Sequence, residues 1–530
     1  MDRRKFINTT AMASGAILTA PVVLGNVAST SPIEINPDWN GKTTPLNHTW
    51  EGLGNIDQMR WILRGDTQNQ LDVFRDELGL KHVRAVGIFD DDLFVNDSDP
   101  TNFRKKVIGD GKRINWRSPF YIYDTLVEKG LAPIVTPCFI PARLASGPET
   151  VFATRNNVTV PRDWKEWERF VADFVNSLVD RYSIDVLKSW YFEVWNEPNL
   201  DGFWKGGQEG YWELYKILYS TIKNIDPGLK IGGPSTARAE WISDFLEFGA
   251  NNNMHPDYII GHCYNNDSAS NPLSPFEGPQ GDKENKSPNF TKGVVKGVRK
   301  ILTDTGFKGE FHMNEWGSTW HPYSPTRESA NEAAFIVKTM NEVSQEADYF
   351  AYWCLSDIYN QVGYGKEAFH GNYGMMSFDG LRKPNYFAHQ LLSRLGREQV
   401  AVSGKDIDGL THALAAKSDK GMQVAVYSFI NEWVPGDATP KKNVTVKLPS
   451  SINPKSIQLY RIDSVNNNIL TNWKAMGSPD YLKPKEKELL MEQNEFSASL
   501  HKPKVTKGEK DFEITFEMEM PGVVLVEAKN

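Results

Sequence analysis

From Gly52 to about Gly396 short apolar runs alternate with longer stretches of helical period. This alternation constrains the fold more than any other feature. Strands separated by helices pair in parallel through crossovers, so the pattern predicts successive βα units. The strands fall at 52–56, 82–86, 132–137, 189–194, 230–233, 257–263, 310–314 and 350–355. Amphipathic segments at 67–78, 120–129, 164–182, 210–225, 241–250, 292–303 and 328–345 separate them, and 385–395 follows the last. Eight such units predict an α/β fold, a (β/α)8 TIM barrel within residues 31–396.

Beyond Gly396 the texture changes. Segments 423–430, 443–448, 457–462 and 512–518 alternate apolar and polar residues between turn signals, which predicts a C-terminal antiparallel β-sandwich over 397–530. Residues 31–45 are a candidate extra strand for it, and the charged run 483–488 reads as a solvated loop.

Composition narrows the function classes. Of 530 residues, 40% are hydrophobic and 24% charged, as in a globular protein. The net charge is −8 and no Lys/Arg stripe occurs, which argues against a nucleic-acid partner. Residues 1–30 carry Arg3-Arg4-Lys5-Phe6 and then an uncharged run from Ala11 to Gly25, resembling a twin-arginine export signal and predicting a periplasmic or extracellular enzyme. No later run reaches the ~18 apolar residues of a membrane helix, so no membrane anchor is expected. Cys138, Cys263 and Cys354 lie in or just after predicted strands without CxxC or Cys/His spacing and read as buried thiols. No HExxH or HxH spacing occurs, so neither a metal nor a cofactor is expected.

The chemistry concentrates at two strand ends. Trp190-Tyr191-Phe192-Glu193-Val194-Trp195 stops at Asn196-Glu197-Pro198, where proline cannot donate a ladder hydrogen bond. Phe311-His312-Met313 likewise runs into Asn314-Glu315-Trp316-Gly317. The 118 positions from Glu197 to Glu315 accommodate three βα units of about 39 residues, so both carboxylates should reach the C-terminal mouth, where barrel active sites are built. Two carboxyl groups facing one sugar are what glycosidic hydrolysis requires: one protonates the leaving oxygen, the other meets the oxocarbenium-like centre.

Trp195-Asn196-Glu197-Pro198 together with Asn314-Glu315-Trp316-Gly317 resembles the retaining clan-A glycoside hydrolases. Within that clan the chain is similar to glycoside hydrolase family 39, the β-xylosidase and α-L-iduronidase family. Further matches are Phe139-Ile140-Pro141, His262-Cys263-Tyr264, Tyr352-Trp353 with Asp357, Phe369-His370-Gly371, Leu459-Tyr460-Arg461-Ile462-Asp463 and the run from Trp473 to Pro479. The resemblance implies a retaining exo-glycosidase acting on oligo- or polysaccharides through a glycosyl-enzyme, with Glu197 as acid/base and Glu315 as nucleophile. It places Arg84 near the nucleophile, Asn196 on the sugar 2-hydroxyl, and His262 and Tyr264 in the same subsite. Trp353, Asp357 and His370 complete the expected substrate contacts.

The family often has Arg-x-His-Gly after strand 2, whereas this chain has Arg84-Ala85-Val86-Gly87. Val86 cannot donate to a sugar hydroxyl, which leaves arabinose, glucose or a uronate beside xylose as the sugar. Lys366 is the one obvious cation in the loops after strands 6 and 8, so a neutral sugar is favoured over a uronate. A carbohydrate-binding protein without catalysis is the rival class, but binding alone needs neither an acid nor a nucleophile.

Overall fold

A computed structural model describes residues 32–95, 114–268, 284–405 and 409–529, so the export-signal segment lies outside the described residues. Eight parallel strands form one sheet in sequential order: β1 (Leu53–Gln58), β2 (His82–Val86), β3 (Ala132–Val135), β4 (Tyr191–Glu193), β5 (Lys230–Thr236), β6 (Tyr258–Tyr264), β7 (Glu310–Gly317) and β8 (Tyr349–Tyr352). The sheet closes on itself. Phe350 N–H donates to Thr49 O at 2.7 Å and Leu355 N–H to Asn55 O at 2.8 Å, joining the last strand region to the first.

Helices cover the outside, and Trp164–Tyr182 shows why they form. Asp163 caps it by accepting from the Lys165 and Glu166 amides, and Trp167, Phe170, Val171, Phe174, Val175 and Leu178 form one buried stripe at helical spacing. Within the barrel, Leu53, Ile134, Tyr191, Tyr258, Ile260 and Ala351 pack together as an apolar layer. Nearer the C-terminal mouth the interior turns polar: Asn55, Arg84, Thr136, Glu193, Ser235, His262 and Asn314 are all buried there. Barrel interiors are usually filled by branched aliphatic residues. A buried polar layer holds only if its members satisfy one another.

The sandwich consists of a five-stranded and a six-stranded sheet. Strand Asp511–Glu519 shows its construction, with Phe512, Ile514, Phe516 and Met518 alternately buried. Strand Ile33–Pro37 joins the five-stranded sheet, antiparallel to Val402–Lys405 but parallel to Lys441–Pro449, so this sheet is mixed. The loop expected at 483–488 is instead the start of helix Pro484–Glu492, where the Glu486 carboxylate accepts the Lys483 amide at 2.8 Å. A second helix, Ile469–Ala475, precedes it. Ile469, Trp473 and Leu490 from these helices bury against Ala368, Phe369 and Leu381 of the segment after β8. No helix among the described residues is long and apolar enough to cross a membrane.

Candidate active site

After β4 the chain turns sharply, with Trp195 and Glu197 both left-handed (φ 66° and 47°). Such backbone is unfavourable for residues with a Cβ and persists where packing holds it. Here Trp195 packs edge-on against Phe139 at 5.4 Å and against Trp204 at 4.7 Å, and its indole N–H donates to Phe203 O at 3.0 Å. The Glu197 amide donates to Ser235 O at 2.9 Å, tying the turn to β5. The result is a buried carboxylate at the mouth, lining a cleft.

Glu315 was expected just past the end of its strand, but β7 continues to Gly317. The ladder between β6 and β7 slips here: Gly261 pairs with Met313 and His262 with Glu315, leaving Asn314 unmatched. Strict alternation would send neighbouring side chains to opposite faces. The irregularity lets both turn inward: Asn314 Nδ2 donates to Glu193 Oε2 at 3.3 Å, while Glu315 meets Arg84.

Arg84, fully buried on β2, organises the floor of the site. It donates to both oxygens of Glu193 (Nε to Oε2 2.7 Å, Nη2 to Oε1 2.8 Å), to Asn196 Oδ1 at 2.7 Å and to Glu315 Oε2 at 3.2 Å. The Tyr264 hydroxyl donates to Glu315 Oε1 at 2.8 Å. His262 Nδ1 lies 3.2 Å from Glu197 Oε1 and 3.5 Å from Glu315 Oε2, and its Nε2 lies 3.3 Å from the Ser235 hydroxyl. One ligand atom each from Glu197, His262 and Glu315 fall within 4.8 Å of one another. Three such groups have metal-ligand character, but the guanidinium already in contact with Glu315 opposes a cation there.

Electrostatics separates the carboxylates. Burial works to raise the Glu193 carboxyl, but the charge and hydrogen bonds of Arg84, with His262 and Ser235, hold it below the usual range. Burial pushes Glu315 up and Glu197 adds to the rise, against the pull of His262, Arg84 and the Tyr264 hydroxyl.

Val86, Asn196, Glu197, Phe203, Tyr264, Glu315, Trp320, Trp353, Tyr359, Gln361 and Tyr373 line the cleft. Seven of the nine expected residues therefore converge, six on or beside the carboxylate pair and Trp353 on the wall. Two do not. Asp357 is fully buried in an ion pair with Lys383, which also contacts Glu328 at 2.6 Å, and it accepts the Gly374 amide at 2.8 Å. His370 lines a separate pocket with Tyr323, Tyr364 and Phe369. Lys366, the cation weighed for a uronate, pairs with Asp480 at 2.8 Å. Sequence reasoning assigned no role to Glu193, Ser235, Thr136 or Asn55, nor to the aromatic lining from Phe203, Trp320, Tyr359 and Tyr373. Only the aromatic residues carried a signal, being rings in loops that follow barrel strands.

Closed barrel, paired carboxylates and aromatic walls define the class, and the protein is a glycoside hydrolase. The chain belongs to the family described as Glycosyl hydrolases family 39, matching it over residues 33–511. It is similar to the beta-xylosidase of Caldicellulosiruptor saccharolyticus, 31% identical over 506 residues, covering 94% of this chain and 99% of that one. The beta-xylosidase of Geobacillus stearothermophilus is 27% identical over 458 residues, 84% of this chain and 86% of that protein. Among solved structures, the monomeric beta-xylosidase of Caulobacter crescentus CB15 superposes with a TM-score of 0.79 at 27% identity, covering 94% of this chain and 99% of that one.

Proposed function

We propose that the enzyme is a retaining, exo-acting β-xylosidase-type hydrolase of neutral oligosaccharide ends, with Glu197 as acid/base and Glu315 as nucleophile. The observation that carries this is separation: Glu197 and Glu315 bring carboxylate oxygens within 4.8 Å. Retaining enzymes hold their carboxyl groups about 5–5.5 Å apart, whereas inverting ones need about 6.5–9.5 Å to admit a water. Glu315 attacks the anomeric carbon as Glu197 gives its proton to the departing oxygen, leaving a glycosyl ester on Glu315. Glu197, now ionised, deprotonates a water that attacks the same carbon; the ester bond breaks and Glu315 is released as carboxylate.

The contacts support this division of labour. Glu315 faces Arg84 and the Tyr264 hydroxyl, both of which favour its anion against the rise from burial and Glu197, and this supports assigning the one proton shared by the pair to Glu197. Arg84 occupies Asn196 Oδ1, which directs the amide NH2 of Asn196 toward the cleft and a sugar hydroxyl. Among the described residues no Lys or Arg lines the cleft, which favours a neutral sugar, and relatives named beta-xylosidases favour xylose. Val86 in the lining favours a second reading, another neutral sugar such as arabinose or glucose. The twin-arginine pattern at Arg3-Arg4 supports export to the periplasm, to be checked by cell fractionation.

The test is a panel of nitrophenyl glycosides with wild type, Glu197→Ala and Glu315→Ala. Each substitution is expected to cost about 10^2–10^4-fold in turnover on the preferred glycoside. Azide is expected to restore Glu197→Ala and yield a β-glycosyl azide, and NMR should show the β-anomer formed first. Full turnover by either variant, or inversion, would refute the assignment.

A further inference from the structure

Glu193 has no part in the steps above, yet the inner half of the site is built around it. Its side chain and that of Arg84 are both fully buried. Besides the two hydrogen bonds from Arg84, Glu193 accepts the Ser235 hydroxyl, Thr136 Oγ1 at 3.3 Å and Asn314 Nδ2 at 3.3 Å. These partners come from β2, β5, β7 and the turn after β3, so four separate strand regions converge on the one carboxylate of β4. Asn55 on β1 lies 3.4 Å from Arg84 Nη1 and donates to the carbonyls of Asn314, Ala351 and Tyr352 at 2.8–3.3 Å, extending the set to β8.

Such burial of charge has no stability rationale of its own, because desolvating an ion pair often costs as much as the pairing returns. Its geometry suggests a different use. A bidentate pair fixes the plane of a guanidinium. Once Glu193 holds Nε and Nη2, the remaining N–H vectors have one orientation, and they meet Asn196 Oδ1 at 2.7 Å and Glu315 Oε2 at 3.2 Å.

We propose that Glu193 is a positioning residue: it orients Arg84 toward Asn196 and Glu315 and draws off part of the guanidinium charge, so that the nucleophile is ionised but not locked in a full ion pair. This rests on the roles proposed for Glu197 and Glu315. The charged and titratable groups facing the nucleophile are Arg84, Glu197, His262 and the Tyr264 hydroxyl, with the Tyr359 hydroxyl beyond them. Those facing Glu193 are Arg84, His262, the Cys138 thiol and the Tyr211 and Tyr258 hydroxyls. Burial pushes that thiol and those hydroxyls up, so they stay neutral across the working range. The balance around Glu315 is thus set by Arg84 and His262 against Glu197 and, through Arg84, Glu193.

The sign follows. The negative charge of Glu193 disfavours ionisation of Glu315 and Glu197, and removing it leaves Arg84 unopposed. In Glu193→Gln the acid limb of kcat/KM, read on the nitrophenyl glycoside that wild type cleaves fastest, should move down by about 1 pH unit. Turnover at the optimum should fall at least tenfold, because Arg84 is freed to close on Glu315. Glu193→Asp keeps the charge but shortens the reach, so turnover should fall while the limb stays in place. Arg84→Lys leaves a single point charge beside Glu193, and its acid limb should move up.

A purely structural Glu193 would lower the melting temperature and activity without moving any limb. Unmoved limbs in a folded Glu193→Gln overturn the proposal. Should that variant not fold, an acid limb that stays or falls in Arg84→Lys overturns it equally. Glu315→Ala separates the two levels: if it retains turnover, the functional reading fails, and if it is inactive while the Glu193 variants show no shift, only the role of Glu193 fails.

Discussion

Replacing Tyr264 with Phe tests the electrostatics of the nucleophile with little change in shape. The hydroxyl donates to Glu315 Oε1 at 2.8 Å. The ring packs in a small cluster with Trp353, Cys354, Tyr359 and Tyr373, and Phe preserves that packing. A hydrogen bond to a charged group contributes about 1.5–3 kcal/mol. At 1.36 kcal/mol per pKa unit, that corresponds to a rise of about 1–2 units in the Glu315 carboxyl. The hydroxyl is one of the groups pulling Glu315 down against burial and Glu197, so its removal acts upward. The acid limb of the kcat/KM profile should therefore move up by about 1–2 pH units, with about a 10- to 100-fold loss below the limb and a smaller one on the plateau. The assay is a pH series at low substrate with a nitrophenyl glycoside. An unmoved acid limb in a folded Tyr264→Phe would show that the hydroxyl does not hold the nucleophile's charge.

Two further predictions concern parts of the barrel away from the cleft. Lys383→Met leaves the buried Asp357 and Glu328 carboxylates without their cation, and it should lower unfolding free energy in denaturant by about 3–5 kcal/mol. The folded fraction should keep kcat/KM within about twofold, since neither carboxylate lines the cleft. At the opposite end of the barrel, Glu310 lies with His312 at 2.8 Å, Tyr191 at 2.7 Å and Lys230 at 3.1 Å. Burial opposes its ionisation, but these partners outweigh it and pull the carboxyl from 4.5 to about 2. A carboxyl depressed in the folded state stabilises it above the unfolded pKa and loses this as pH falls through the folded value. The stability advantage of wild type over Glu310→Gln should be complete above about pH 4.5 and vanish toward about pH 2, measured by urea unfolding across that window; a constant difference would refute it.

Legibility in the sequence followed how local each cause was. The eight barrel strands were readable because both faces of a parallel strand are covered, which leaves apolar runs. Helix Trp164–Tyr182 was readable end to end because its cap and stripe lie within its own residues. Helix Pro484–Glu492 was missed because its segment is mostly charged and only Leu490 is fully buried. Asp357 follows β8, as a mouth residue would, but the ion pair with Lys383, which also holds Glu328, keeps it buried, and Lys383 is no near neighbour in sequence. Glu193 sat in an apolar run with nothing nearby to mark it, since its partners arrive from four other parts of the barrel.

The order of the strands, the count of eight and the assignment of the two Asn-Glu pairs to the fourth and seventh were determined by the sequence alone, because periodicity and turn chemistry act over a few residues; that β7 runs on through Asn314-Glu315 to Gly317 was not. The distance between Glu197 and Glu315 was decided only by tertiary structure. Residues 118 positions apart meet within 4.8 Å because the sheet closes and the β6–β7 ladder slips by one residue at Asn314. Closure and register are properties of all eight strands together, so the same Glu315 without them would be an ordinary carboxylate near a strand end.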